Sequence, residues 1–191
     1  MTIDITRRGI FGIFAATAVV AAPVASNAFG ILRRAGDYRR VSMYSPRTGE
    51  SIDTVYWIDG KYIRDALIEI NYFMRDWRSG QAIGIDPRTI DIAAASHRML
   101  QTNEPYMMLS GYRSPKTNAM LRSRSEGVAK NSLHMTGKAA DLRLKSRSVG
   151  QMYKAAMACR AGGVGKYPRP TFANRDCGPI GPGGPRVRHC F

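Results

Sequence analysis

His134 and Asp141 are separated by Met135-Thr136-Gly137-Lys138-Ala139-Ala140, and an imidazole with a carboxylate at that interval is the start of a metal site. A zinc hydrolase draws roughly three protein ligands from histidines and carboxylates and leaves one position for the water it activates. The intervening residues let the chain turn back, so that a loop His134 and a strand-borne Asp141 can converge on one ion. Upstream lies Ser110-Gly111-Tyr112-Arg113-Ser114-Pro115. The guanidinium of Arg113 is permanently charged and presents a planar fork of donors, which suits a peptide carboxylate or a developing oxyanion. A His-x6-Asp interval has little specificity alone, so its weight comes from what surrounds it.

The surrounding pattern alternates strands and helices irregularly. Arg40–Tyr44 and Ser51–Trp57 are β-prone runs around Ser45-Pro46-Arg47-Thr48-Gly49-Glu50 and predict a hairpin, followed by a turn at Asp59-Gly60. From Tyr62, the apolar residues Ile63, Leu67, Ile70, Met74 and Trp77 recur at helical spacing and predict an amphipathic helix ending at Ser79-Gly80. Asp86-Pro87 caps and opens a second helix, in which His97 falls on the core-facing stripe and reads as a structural histidine. Tyr106–Leu109 predicts a buried strand, Ser114-Pro115 a short helix through Leu121, and Ala139–Leu144 the strand carrying Asp141. Ser148 caps a helix stopped by Gly162-Gly163. In the last strand Phe172, Asn174 and Asp176 share a face by the period of two. Together these elements predict an α+β domain with an antiparallel sheet flanked by helices.

At the N-terminus, Thr6-Arg7-Arg8-Gly9 precedes an apolar run from Ile10 to Ala25 and the small-residue stretch Ala25-Ser26-Asn27-Ala28. This pattern predicts a secretory signal over residues 1–28, of the twin-arginine type that exports folded proteins. The run is too short for a bilayer span and Pro23 interrupts it, so no transmembrane anchor is expected after cleavage. Residues 29–191 then suit a single domain with a Gly/Pro-rich C-terminal tail. The net charge of +15 resides almost wholly there. Such an excess usually points to nucleic acid. The export signal argues against that partner; outside the cytoplasm the available polyanions are lipid headgroups and the free carboxylates of peptidoglycan stem peptides, and the charge reads as affinity for the wall in the periplasm. Cys159, Cys177 and Cys190 would all sit where disulfides persist. Cys177 with Cys190, flanking the Gly/Pro-rich stretch, is the favoured pair.

Ser110–Asn118 and Asn131–Asp141, in this order with Arg75-Asp76-Trp77, Asp86-Pro87-Arg88 and Gly162-Gly163-Val164-Gly165, resemble the periplasmic murein endopeptidases of the D-alanyl-D-alanine zinc peptidase superfamily, which share a hedgehog-like fold. The resemblance implies a small zinc-binding domain with His134 and Asp141 as ligands, and Arg113 orienting substrate or stabilising an oxyanion. Ser132 could support His134 or cap its turn. The family's late strand usually reads His-x-Asp-x-Gly, its histidine being the third ligand. Here the matching residues are Asn174, Arg175, Asp176, Cys177 and Gly178, and an amide oxygen is a poor substitute for imidazole on zinc.

Three readings follow. His189 or Asp176 completes the metal site of an active zinc hydrolase of peptidoglycan peptides; a degenerate relative binds stem peptides without cutting them; or Cys177 acts as a thiol nucleophile with His134 as base. A disulfide would remove that thiol, and nothing else supports the third. The expectation is the first, with His134, Asp141 and His189 as metal ligands, Arg113 holding an anion, and Asp176 the nearest candidate base.

Overall fold

Two of the expected strands pair at once around Ser45–Glu50. In the computed structural model, which describes residues 38–125, 127–159, 162–167 and 172–176, β1 (Tyr38–Tyr44) and β2 (Ser51–Ile58) form an antiparallel hairpin. Asp59 and Gly60 adopt positive φ of 47° and 85°, turning β2 into the two-residue β3 (Lys61–Tyr62). Then come α1 (Arg64–Phe73), α2 (Pro87–Met99), β4 (Tyr106–Ser110), α3 (Pro115–Arg124), a 3-10 turn (Leu133–Thr136), β5 (Ala139–Arg143), α4 (Val149–Ala158), β6 (Val164–Tyr167) and β7 (Phe172–Asp176). The strands form one sheet in the order β3-β2-β1-β4-β5-β7-β6. The fold is α+β, and the sheet is antiparallel except where β1 and β4 run parallel.

Alternating burial explains the strands. Val41, Met43, Ile52 and Tyr56 point into a core that also takes Ile70, Ile90, Met108, Leu142 and Met152 from other elements. Burying each such side chain stabilises the fold by about 1.5–3 kcal/mol before entropy is counted. The helix starts follow their caps: Asp86 accepts from the Arg88 N–H, Ser114 from the Thr117 N–H, and Ser148 forms a capping box with Gln151. A polar knot sits within this core. Asp91 of α2 accepts from Arg39 at 2.8 Å, Tyr56 at 2.9 Å and Tyr62 at 2.6 Å, tying the helix to all three strands of the β1–β3 meander.

The helix expected to run as far as Ser79-Gly80 stops at Phe73, because the chain's next groups are claimed by other partners. The Met74 carbonyl accepts from the Tyr112 N–H at 2.7 Å. Asp76 is 2% exposed, and its carboxylate accepts from the Arg78 N–H at 3.1 Å and from the Ser114 N–H at 3.0 Å. One carboxylate thus joins the turn after α1 to the N-terminus of α3. Trp77 leaves the predicted apolar stripe and is exposed. The helix at Ser114 runs longer than expected, to Arg124. The strands β3 and β6, of two and four residues, are too short for alternation to mark them.

Between the 3-10 turn and β5, Gly137 takes φ +68°. Its carbonyl accepts from the Asp86 N–H at 2.9 Å, and a Cβ there would lie 2.5 Å from the Gly84 carbonyl oxygen. Gly80 has a similar φ of +71° but open space around it. Replacing each by alanine therefore separates backbone strain from close approach. Gly80→Ala should cost about 1 kcal/mol and Gly137→Ala about 2–4 kcal/mol in urea denaturation; equal losses would refute the tight approach.

Asp76 gives a second test. Burial alone pushes its carboxyl up, but donors from Thr117, Ser114 and Arg78 outweigh that and hold it at about 2, below the ordinary 3.8. A depressed folded-state value means that the charged form stabilises the fold above about pH 4, and that this contribution of about 2 kcal/mol is lost as pH falls toward 2. Asp76→Asn places an amide N–H₂ where donors already converge. It should cost about 2–3 kcal/mol at neutral pH and flatten the stability curve between pH 4 and 2, as read by denaturation at stepped pH.

Candidate metal and anion site

His134, Asp141 and Arg113 come from three different segments and meet at the end of β4. His134 sits in the 3-10 turn, Asp141 in the middle of β5, and Arg113 in the loop between β4 and α3. Register fixes Asp141: its partner on one side is Ser110 of β4 and on the other Asn174 of β7. The αL turn at Gly137, with the Lys138 N–H returning to the Leu133 carbonyl at 3.0 Å, reverses the chain between His134 and Asp141.

The imidazole is held from one side. His134 Nδ1 lies 2.7 Å from the Gly111 carbonyl oxygen, and a carbonyl can only accept, so the proton is on Nδ1. The other nitrogen, Nε2, faces Asp141 Oδ1 at 3.4 Å. In return, the Arg113 N–H donates to the His134 carbonyl at 3.1 Å. The two loops therefore clasp one another through reciprocal bonds. Gly111 is required in this clasp: a Cβ there would collide with the Met74 carbonyl oxygen. Ser132, the residue before the 3-10 turn, makes no side-chain cap; its carbonyl accepts from the Met135 N–H at 3.0 Å.

Arg113 completes the group. Its Nη2 lies 3.6 Å from Asp141 Oδ2 and 3.4 Å from the Ser110 hydroxyl. Its Nε is buried and has no acceptor among the described residues. The side chains of His134 and Asp141 are 6% and 9% exposed, so charge placed between them is poorly screened.

Two donors of one tetrahedral zinc, each about 2.0–2.1 Å from the ion, stand about 3.3 Å apart. The 3.4 Å between Nε2 and Oδ1 matches that separation, and a ligating histidine commonly donates its other N–H to a carbonyl, as His134 does to Gly111. The pair thus fits zinc as two of its ligands. Among the described residues no third histidine, cysteine or carboxylate joins them. Asn174 is the register partner of Asp141, and Asp176 pairs with Ala139 two residues along β5. His189, Cys177 and Cys190 lie outside the described residues.

Other expectations resolve simply. His97 is structural: its Nε2 lies 2.7 Å from the Glu104 carbonyl oxygen and its ring meets Tyr106 edge-on. The Cys159 thiol is buried and donates to the Ala155 carbonyl at 3.3 Å. A cavity of about 610 Å³ opens elsewhere, between the first half of β1 and α2. None of the three site residues lines it, and concave volume is a poorer guide here than convergent donors.

Two groups that position the site carry no assigned role in the sequence analysis. Asp76 enters there only within the Arg75-Asp76-Trp77 motif, although Asp76-x-Arg78-Ser79-Gly80 carries the signal of an aspartate accepting from the N–H two residues on. The Gly111 carbonyl, which orients His134, leaves no such signal, because main-chain acceptors are not encoded by residue type.

A family model described as peptidoglycan L,D-endopeptidase MepK matches residues 33–182. The peptidoglycan L,D-endopeptidase MepK of Escherichia coli strain K12 is 40% identical over 141 residues, covering 74% of this chain and 78% of that protein. A probable peptidoglycan L,D-endopeptidase MepK of Haemophilus influenzae is 36% identical over 138 residues, covering 70% and 72%. No solved structure matches. With the match spanning β1 through β7, and with a histidine, a carboxylate and an arginine gathered at one end of the sheet, the chain belongs to the MepK family of murein endopeptidases, within the zinc D-alanyl-D-alanine peptidase superfamily.

Proposed function

We propose that this protein is an exported hydrolase of peptidoglycan peptides, cutting cross-link or stem-peptide amides as the L,D-endopeptidase name of its relatives suggests. The observation that carries the reading is the convergence of His134 Nε2, Asp141 and Arg113 in a poorly solvated corner. In this proposal His134 and Asp141 hold zinc together with His189, and residues 1–28 direct export to the periplasm. Among the described residues no helix is long and apolar enough to cross a membrane.

Zinc bound there would supply Lewis-acid activation for attack on the amide. The chain's own residues do the rest. The Gly111 carbonyl keeps the proton of His134 on Nδ1 and aims Nε2 inward. Asp141 supplies the negative charge that a cation needs in a buried place. Arg113, whose Nη2 lies 3.6 Å from Asp141 Oδ2, holds a substrate carboxylate or the oxyanion that forms at the scissile carbonyl. Asp176 is assigned as the candidate base.

A second reading is favoured by one observation: Asn174, an amide, is the register partner of Asp141. On that reading the domain grips stem peptides through Arg113 and its basic surface without cutting.

The two are separated by loading the mature protein with zinc, measuring metal per chain by mass spectrometry, and chromatographing the muropeptides released from sacculi. The hydrolase reading expects close to one zinc per chain, and His134→Ala should remove the metal and lower release by at least about a hundredfold. Asn174→His should hold zinc about tenfold more tightly against a chelator. Retention on sacculi without zinc or products would establish the binder instead.

A further inference from the structure

Three arginines and a tryptophan beside the site have no part in the mechanism above. The Arg47 guanidinium carbon, in the β1–β2 turn, lies 5.6 Å from the Trp77 ring centroid, and that of Arg78 lies 4.1 Å from it. Trp77 is 38% exposed, and Arg47, Arg78 and Arg124 are exposed. The assembly is not a chance meeting of mobile side chains. Arg75 is paired to Glu50 through two bonds of 2.9 Å, which staples the turn carrying Trp77 and Arg78 to the hairpin carrying Arg47. The Asp76 carboxylate joins that same turn to Ser114, the neighbour of Arg113.

The nearby carboxylates are already engaged. Glu50 is taken by Arg75, Asp76 by buried donors, and Asp141 faces Arg113 and His134. Although Arg78 is exposed overall, its guanidinium is held below its usual range, first by partial desolvation and then, against the opposing pull of Asp76, by the fields of Arg47, Arg113 and Arg124. Uncompensated guanidinium forks on an aromatic face suit a planar anion received bidentately.

We propose that Arg47 and Arg78, stacked about Trp77 on the turn that Asp76 ties to the neighbour of Arg113, form a rim that recognises free carboxylates of the peptide held at the His134–Asp141 centre. This inference rests on the peptidoglycan-peptide reading and adds the group that is read. A ligand that touches Arg113 and the rim together must present anions along a chain, as a stem peptide with free side-chain and terminal carboxylates does. A lipid headgroup offers one anion at a point.

The test is calorimetric titration of the full mature protein with a stem tetrapeptide whose diaminopimelate carboxylate is free, and with the same peptide as its carboxamide. The wild type should prefer the free acid by about tenfold. Arg78→Ala and Arg47→Ala should each lose most of that preference, Arg78→Lys should keep part of it, and Lys154→Ala on α4 should keep all. Equal affinity of the wild type for acid and amide would overturn the proposal. So would arginine variants that retain the preference but no longer bind phosphatidylglycerol vesicles, since the rim would then serve a lipid surface. A protein that discriminates the two peptides but releases no muropeptides sinks the hydrolase reading alone; one that cuts sacculi but is blind to amidation sinks only this one.

Discussion

The geometry of the site depends on a carboxylate that is not part of it. Asp76 is buried and charged, and a buried charge is tolerated only when its lone pairs are filled by donors. Filling them forces the turn after α1 and the start of α3 into one place, because the Arg78 and Ser114 N–H groups must reach opposite oxygens of the same carboxylate. Arg113 precedes Ser114, so its backbone position follows. The Met74 carbonyl enforces the same approach from two residues earlier by accepting from Tyr112. Together they end α1 four residues before its apolar periodicity does.

From that fixed loop the remaining site residues are set by exchange of main-chain bonds. Gly111 gives its carbonyl to the His134 ring, and Arg113 takes the His134 carbonyl with its N–H. Neither loop can shift without opening both bonds in a poorly solvated corner, where each unpaired group costs about 1–3 kcal/mol. Asp141 needs no such device. It lies inside a strand with paired neighbours on both sides. The result is a histidine of a 3-10 turn held against a carboxylate fixed in the sheet.

How much of this the sequence disclosed follows from which forces were local. Hairpin, caps and strands around Asp141 were legible because alternation, Asp86-Pro87 and Ser114-Pro115 act within a few residues. The meeting of His134 with Asp141 was legible from the motifs around them, since the interval itself has little specificity. The early end of α1 was not, since the periodicity of Met74 and Trp77 is that of a helix and only distant partners at Tyr112 and Ser114 break it. β3 and β6 are too short to show a period. The parallel contact of β1 with β4 likewise arises from packing across the whole domain.

The same separation of local and distant causes bears on position 174. Exchanging a neutral imidazole for a neutral amide removes donor strength toward a soft or borderline metal but leaves the charge of the corner unchanged. Arg113 keeps its distance from Asp141, and the arginines about Trp77 keep their excess of positive field. On the proposed reading, attraction for an anionic peptide would come from those groups, whereas retention of a cation would come from the donors that join His134 and Asp141. Strengthening the first does nothing for the second and, through repulsion in a medium that screens poorly, works against it. Peptide recognition and metal retention would then be governed by different residues on one scaffold, so that an exchange at position 174 would act on the metal and not on the arginines.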